Sequence, residues 1–471
     1  MVQSLFQQAR GDHKADVIAV DQNLREAFVH AAHAAGGGTV RIPSGKWRLQ
    51  GVNNPIVNGS RLTDGVTLYS NITILGEGDT EIALDTNCCY AFTGRLRSAV
   101  TSSAQNLHDI HFRNIKFTRP TTTFFQEQLT IFLDSCERFS IKDCKFIGWS
   151  GDAVMLGGIL SAGFTFLQSI ILDGEISGCF FDGVNKDTRQ AISIFCGENV
   201  QIHHNVIVRT TRSDMPGAID IEPELATDIL RGISVHDNIF VDNGGFGGVI
   251  GCALVTNLTF AAEGISFNDN LIFYPTNNCA IGFTGRAGTS ATALPTNAPR
   301  YVSYRGNKVY GLGSGSSCHP FEIRGARGLI FDDNEFWNLR GSSIVGNPSS
   351  GPVYYPLEDL SVWGNEFHNC RVITADSGIS LIEFIGNVNG GTIHNEFFNS
   401  GNWADESTPT NMRTYGFSSG SVASRDLIFS ENKFNANGAA YVSTVSPFYA
   451  PVTLTNASLI DISGSRYIGI A

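Results

Sequence analysis

The chain has 471 residues, of which 51 are glycine, 32 phenylalanine and 15 proline, with 16% charged residues and a formal net charge of -12. That acidity speaks against nucleic acid or an anionic membrane as partner, since both call for a cationic footprint, and no run of about 18 apolar residues marks a membrane span. Abundant glycine beside modest proline fits a strand-rich, turn-rich repeat rather than a helical or disordered chain.

Residues 1–20 read as a leader without the cationic start and apolar core of a secretory signal. Residues 21–35, DQNLREAFVHAAHAA, come next, with Asp21 as N-cap, Leu24, Phe28, Ala31 and Ala35 at helical spacing, and Gly36-Gly37-Gly38 as the stop. They predict a helix that caps the first turn of the repeat.

After this helix the chain reads GGGTVRIPSGKWRL (36–49) and then DGVTLYSNITILGEG (64–78). Helix, glycine run, T-V-x-I-P-x-G-x-aromatic strand and S-N-I-T-I-L-G-E-G strand together resemble the N-terminal cap and first coils of the pectate-lyase-like superfamily. That superfamily includes pectinases, glycan lyases and bacteriophage tailspike depolymerases. The resemblance implies a right-handed β-helix and a polysaccharide substrate; its tailspike members imply a homotrimer carried on a virion tail, a secreted bacterial enzyme being the alternative.

Further along, one pattern recurs: alternating β-branched or aromatic residues, then Asn, any residue and a hydrophobe, as in ISVHDNIF (233–240), ISFNDNLI (265–272) and LIFDDNEF (329–336). The asparagines fall at 205, 238, 270, 307, 334, 365, 395 and 432, spaced by 27 to 37 residues, and Ile115, Cys144 and Cys179 hold the same slot earlier. Period-two alternation punctuated by Gly, Asn and Asp predicts an all-β fold, a parallel solenoid of about eleven coils over 21–440. Asparagine suits the tight corner because it tolerates left-handed backbone angles and its amide can bond its equivalent one coil away, ~4.8 Å along the stack. At that rise the coils make a rod of ~50 to 60 Å. Residues 441–471, rich in strand formers, are expected to form a C-terminal cap or trimer contact. The ten cysteines, Cys88 and Cys89 apart, are scattered without zinc spacing and read as reduced core thiols.

Aligning coils on the corner places AVML (153–156), AISIF (191–195), AIDIE (218–222), AIGF (280–283) and PFEIR (320–324) in register. Alternation then sends Ile219 and Ile221 inward and Asp220 and Glu222 outward to solvent, beside Ser193 and Phe195. Neighbours i and i+2 on one face have Cβ atoms ~6.5 to 7 Å apart. That brackets the carboxyl separations of retaining glycosidases, ~5.5 Å, and inverting ones, ~6.5 to 9.5 Å. Repulsion would leave one acid protonated and the other ionised, as acid–base cleavage requires.

Asp220 and Glu222 are therefore the leading catalytic candidates, with Asp152 of SGDAVML at a position where the resembled superfamily often carries a site acid. Glu224 and Asp214 could tune the pair; Arg189 and Arg212 could bind an acidic sugar. Trp149 is the first candidate for stacking on a sugar ring, ahead of Phe195, Tyr354 and Tyr355, while His203 and His204 lie in a corner and read as turn residues. Glu322 and Arg324 would pair with each other or across coils, or form a distal subsite. No metal or cofactor is expected. The polygalacturonase motif set and the W-x-D-H run of pectate lyases are missing, which turns the expectation from pectin and calcium-dependent elimination toward a hydrolase acting on a bacterial surface glycan. A lyase or epimerase acting on an acidic polysaccharide and a non-catalytic glycan-binding fibre remain the alternatives.

Overall fold

A computed structural model describes residues 32–49, 66–84, 90–94, 100–119, 128–160, 166–184, 188–210, 212, 215, 217–245, 249–254, 258–275, 279–284, 294–312, 319–339, 344–345, 357–373, 382–384, 388–398 and 400–403, and six short strands between 415 and 469. The residues fall into two units, Met1–Ser234 and Val235–Ala471.

In the first unit the period-two alternation winds the chain into coils. Cys136–Lys142 turns at Asp143-Cys144 into Lys145–Ile147, crosses to Val154–Leu156 in a second sheet, and returns as Ile171–Ser177. The returning strand pairs parallel with the one it left, Ile141 opposite Ile176. One circuit therefore advances the chain by one strand spacing, the defining step of a right-handed parallel β-helix. The second sheet of this unit stacks Val66–Thr67, Tyr90–Thr93, Leu129–Leu133, Val154–Leu156, Ile192–Ile194 and Ile219–Ile221, all parallel.

The second unit repeats the plan. Cys279–Thr284 pairs with His319–Arg324, with Ile281 opposite Phe321 and Gly282 opposite Glu322, and the stack continues through Ile344–Val345, Ile382–Phe384 and Tyr415–Phe417 to Phe448–Tyr449. Ile460–Asp461 and Arg466–Gly469 pair on Arg425–Phe429 and Lys433–Ala436 in the same parallel register.

The motif's hydrophobes fill the interior. Phe117, Phe146 and Phe181 stack at 5.1 and 4.7 Å, and Phe267, Tyr304 and Phe331 at 4.7 Å each, so successive rings lie about one coil apart.

The corner works differently from the expectation. At six of the described corners the residue before the asparagine takes the left-handed angle: His204, Asp237, Asp269 and Asp333 at φ 55°, 54°, 53° and 54°, with Gly306 and Gly364 in the same place. The asparagine itself is buried and makes the ladder. Asn270 Nδ2 donates to Asn307 Oδ1 at 3.0 Å, Asn307 Nδ2 to Asn334 Oδ1 at 2.9 Å, and Asn334 Nδ2 to Asn365 Oδ1 at 2.8 Å. Each amide also donates to the carbonyl of a residue in the preceding coil, as Asn307 does to Phe267 at 2.8 Å. A side chain turned inward this way must satisfy all its groups within the protein, which is why the slot tolerates so few residue types. A Cβ at Gly306 would lie 2.3 Å from Asp269 Oδ1, so a side chain there would force the Asp269 carboxylate to move.

In the first unit cysteine serves the slot, Cys144 Sγ donating to Lys142 O at 3.3 Å and Cys179 Sγ to Ile141 O at 3.4 Å. Cysteines 136, 144, 179, 196, 252 and 370 are buried thiols in no disulfide, as expected. His203 and His204 sit in a corner as expected, His204 with φ 55°. Of the capping helix, residues 21–31 lie outside the described residues, as does the leader 1–20; residues 32–34 are helical and stop at Gly36 and Gly37, both with positive φ. Among the described residues no helix is long and apolar enough to cross a membrane.

Candidate functional site

The second sheet of the first unit carries the candidate site. Its register places Val154, Ile192 and Ile219 in one inward column and Leu156, Ile194 and Ile221 in another, with Met155, Ser193 and Asp220 in the outward column between them. The alternation read from AVML, AISIF and AIDIE is thus the alternation observed.

Its consequence for exposure is not. Asp220 is 2% exposed, Ser193 2% and Phe195 9%. The outward face is covered: Tyr90, Leu129, Phe132, Met155 and Phe195 form a buried apolar cluster. An outward direction in a coil therefore does not by itself place a side chain in solvent.

Three coils contribute. Asp152 precedes Val154 by two residues, and Gln190 precedes Ile192 by two, so these side chains occupy equivalent places on successive coils. Ser193 Oγ donates to Asp152 Oδ2 at 3.0 Å, and Gln190 Nε2 donates to Asp220 Oδ2 at 3.2 Å. The middle coil thereby holds a carboxylate on either side. Arg189 Nε stands 3.9 Å from Asp152 Oδ1.

Burial pushes the Asp220 carboxyl well up, and the neighbouring charges of Glu222 and Asp152 push it further against the pull of Arg189. Of the neighbouring charges, that of Glu222, two residues on, acts most strongly on Asp220. A buried carboxyl beside other acids favours its protonated form, so Asp220 is the member of the pair that keeps its proton to higher pH. Asp152 is also raised by burial, offset by Arg189 and by Ser193. Glu222 is half-buried and so is the member of the pair that reaches the surface. Glu224 is exposed, and partial burial with the charges of Glu222 and Asp228 raises its carboxyl too. Asp228 Oδ2 accepts the backbone N–H groups of Glu224 and Leu225 at 2.9 and 2.8 Å, fixing the turn that presents Glu224.

Two further buried oxygens, Thr188 Oγ1 and Gln190 Oε1, have no hydrogen-bond donor among the described residues. Both residues are fully buried, and Gln190 reaches the carboxylates through its amide N–H to Asp220. Among the described residues no cluster of His, Cys, Asp and Glu has the arrangement of a metal site.

Trp149 departs from its expected role. It is 3% exposed, meets Phe181 edge to face at 6.3 Å, and donates its indole N–H to Arg189 O at 3.2 Å. It positions the Arg189 backbone from within the core and offers no face to a sugar. Phe195 is likewise buried. Arg212 is half-buried and partnered, and Asp214, Tyr354 and Tyr355 lie outside the described residues. Glu322 and Arg324 lie on His319–Arg324 of the second unit.

Gln190, Thr188 and Asp228 are the members that sequence reasoning missed. The signal for Gln190 was its place two residues before AISIF, matching Asp152 two residues before its own strand.

No family model matches the chain. Over 104 residues it is 38% identical to alginate lyase 7 of Azotobacter vinelandii, a stretch covering 21% of this chain and 10% of that protein. Over 91 residues it is 35% identical to the mannuronan C5-epimerase AlgE4 of the same organism, covering 19% of this chain and 16% of the epimerase. The chain thus spans between a tenth and a sixth of the length of these relatives. Among solved structures, the tailspike protein of the Escherichia coli bacteriophage HK620, in complex with a pentasaccharide, matches with a TM-score of 0.54 at 16% identity, covering 100% of this chain and 81% of the tailspike. At that identity the likeness speaks for the fold. The right-handed parallel β-helix of pectate-lyase-like proteins, expected from residues 21–78, is the fold of this chain.

Proposed function

We propose that the protein is a polysaccharide depolymerase that cleaves a bacterial surface glycan at the Asp220–Glu222 pair. The observation that carries this reading is two carboxyls two residues apart, Asp220 buried with its carboxyl pushed up and Glu222 half-buried. In glycoside hydrolysis a protonated carboxyl gives its proton to the leaving glycosidic oxygen, and an ionised one takes a proton from the attacking water or attacks the sugar itself. Asp220 stores the proton and Glu222 meets the substrate. Asp152 and Arg189, linked to the pair through Ser193 and Gln190, set the field beneath it. Glu224 flanks the pair as a sugar-binding or tuning carboxyl.

The likeness in fold to a tailspike crystallised with an oligosaccharide supports a glycan as substrate, with the homotrimer and virion tail of such proteins as the matching assembly and location. A secreted enzyme is the alternative location. One observation favours a second reading, a lyase or epimerase acting on an acidic polysaccharide: the stretch of local identity with alginate lyase 7 and mannuronan C5-epimerases. Arg189 or Arg212 would then neutralise a uronate while a base removes the proton at C5.

The test is a panel of capsular, exopolysaccharide and lipopolysaccharide glycans incubated with the wild-type chain and with Asp220→Asn/Glu222→Gln, products being weighed by mass spectrometry. Water-added fragments from the wild type alone support hydrolysis at this pair. Fragments lighter by one water establish elimination instead, and fragments from both proteins move the chemistry elsewhere.

A further inference from the structure

A second feature of the first unit lies on the other sheet, where the long strands run. Their outer face forms a groove of about 760 Å³. The register stacks Arg41, Leu75, Arg113 and Lys142 on successive coils, so cations recur along the groove in steps of one or two coil spacings, ~4.8 Å each. The adjoining outward column holds Thr73, His111 and Ser140, with His111 Nδ1 and Ser140 Oγ hydrogen-bonded at 2.9 Å. In a chain of net charge -12, this is a concentration of positive charge against the general sign.

The cations are not equally committed. Arg138 Nε and Nη2 grip Asp109 at 3.0 Å each, Lys142 Nζ lies 2.6 Å from Glu175 Oε2, and Arg41 lies 3.3 Å from Glu77 with both side chains largely exposed. Arg113 is exposed and makes no ion pair among the described residues. It stands beside Lys142 on the next coil and diagonally from the His111–Ser140 pair, so an anion placed on its guanidinium fork would also gain a second cation and a hydroxyl.

We propose that this groove binds a strand of an anionic polysaccharide, a glycan bearing carboxylate or sulfate groups, with Arg113 taking the anionic group, Lys142 supporting it and the Thr73, His111 and Ser140 column meeting sugar hydroxyls. The coil rise is comparable to the length of one sugar ring, so charges carried by neighbouring sugars meet cations carried by neighbouring coils. A nucleic acid suits the groove less well. Its lining has no exposed Phe, Tyr or Trp on which bases could stack, since Phe139 is buried. The groove shares no residue with the carboxylate cluster, and its role does not depend on that cluster being catalytic.

The experiment is titration calorimetry on the full chain carrying Asp220→Asn/Glu222→Gln, which separates binding from cleavage. The probes are a hexuronic acid oligosaccharide, a neutral oligosaccharide of equal length and a single-stranded oligodeoxynucleotide of equal charge. The oligouronate is expected to bind, more weakly as salt rises from ~50 to ~200 mM. Adding Arg113→Gln is expected to weaken it about tenfold, the effect of one lost charge-assisted hydrogen bond, with Arg113→Lys intermediate. The neutral and nucleotide probes are expected to bind at least tenfold more weakly than the oligouronate. No oligouronate binding, binding unchanged by Arg113→Gln, or equal binding of either other probe overturns the proposal. Because Arg113 is exposed, an unchanged circular dichroism spectrum and melting temperature will show that the variant is folded.

Discussion

Replacing Asn307 by alanine tests the ladder that sets the coil register. Asn307 is fully buried and takes part in four side-chain hydrogen bonds: it donates to Phe267 O and Asn334 Oδ1, and accepts from the backbone N–H and the side-chain amide of Asn270. Each such bond contributes about 0.5 to 1.5 kcal/mol net, and the abandoned partners lie where water cannot readily replace it. The expected loss is therefore about 2 to 5 kcal/mol, large for one substitution. Asn307→Cys should lose roughly half as much, because a thiol in this slot still donates to a carbonyl, as Cys144 and Cys179 do. Urea unfolding supplies the free energies. Hydrogen exchange supplies the local readout: the Asn270 backbone amide, which bonds Asn307 Oδ1 at 3.1 Å, should exchange faster in Asn307→Ala while amides several coils away keep their protection. A loss below about 1 kcal/mol with the Asn270 amide still protected would refute the reasoning, since it would mean that the amides do not carry the corner.

The remaining predictions concern the site and the core. Asp220 holds its proton in the fold above the pH at which the unfolded chain releases it, so the native state binds more protons there and stability falls as pH rises from about 4 toward the raised native value; each pH unit in that window costs about 1.4 kcal/mol. Asp220→Asn should remove this slope and be more stable than wild type at neutral pH, and an unchanged slope in unfolding measured between about pH 4 and 8 would count against a buried, protonated Asp220. Glu222→Gln should lower cleavage of a responsive glycan about 10² to 10⁴-fold while leaving the melting temperature nearly unchanged, read by product mass and calorimetry. Trp149→Phe should reduce activity by releasing the Arg189 backbone and should also lower the melting temperature, whereas a residue that only stacked on sugar would alter KM alone. Burial pushes the Cys196 and Cys370 thiols up to about 12, and those of Cys136, Cys144, Cys179 and Cys252 are buried too, so a thiol reagent should label at most four of the ten cysteines before unfolding.

The fold was legible because a solenoid writes the same instruction many times. Asparagines 27 to 37 residues apart, each followed two positions on by a hydrophobe, fix where the corners fall, and alternation fixes which residues turn inward; Phe146, Phe181, Phe336 and Phe367 all lie where the motif places them. Strand register follows from the same count, which is why the spacing alone brings Asp152, Ser193 and Asp220 to one sheet. Alternation, however, is a rule about direction, and burial depends on what the connections do. Only the tertiary structure showed that Asp220 is buried, that Glu222 is the member at the surface, and that Trp149 supports Arg189 from inside. The corner divided in the same way. Sequence marked asparagine as the special residue, while the folded chain gave the left-handed angle to its predecessor and the ladder to the amide, because a buried amide must find four partners and can do so only from an ordinary backbone conformation pointing inward. The basic groove had no sequence signature at all, since Arg41, Arg113 and Lys142 are far apart in the chain and become neighbours only when the coils stack.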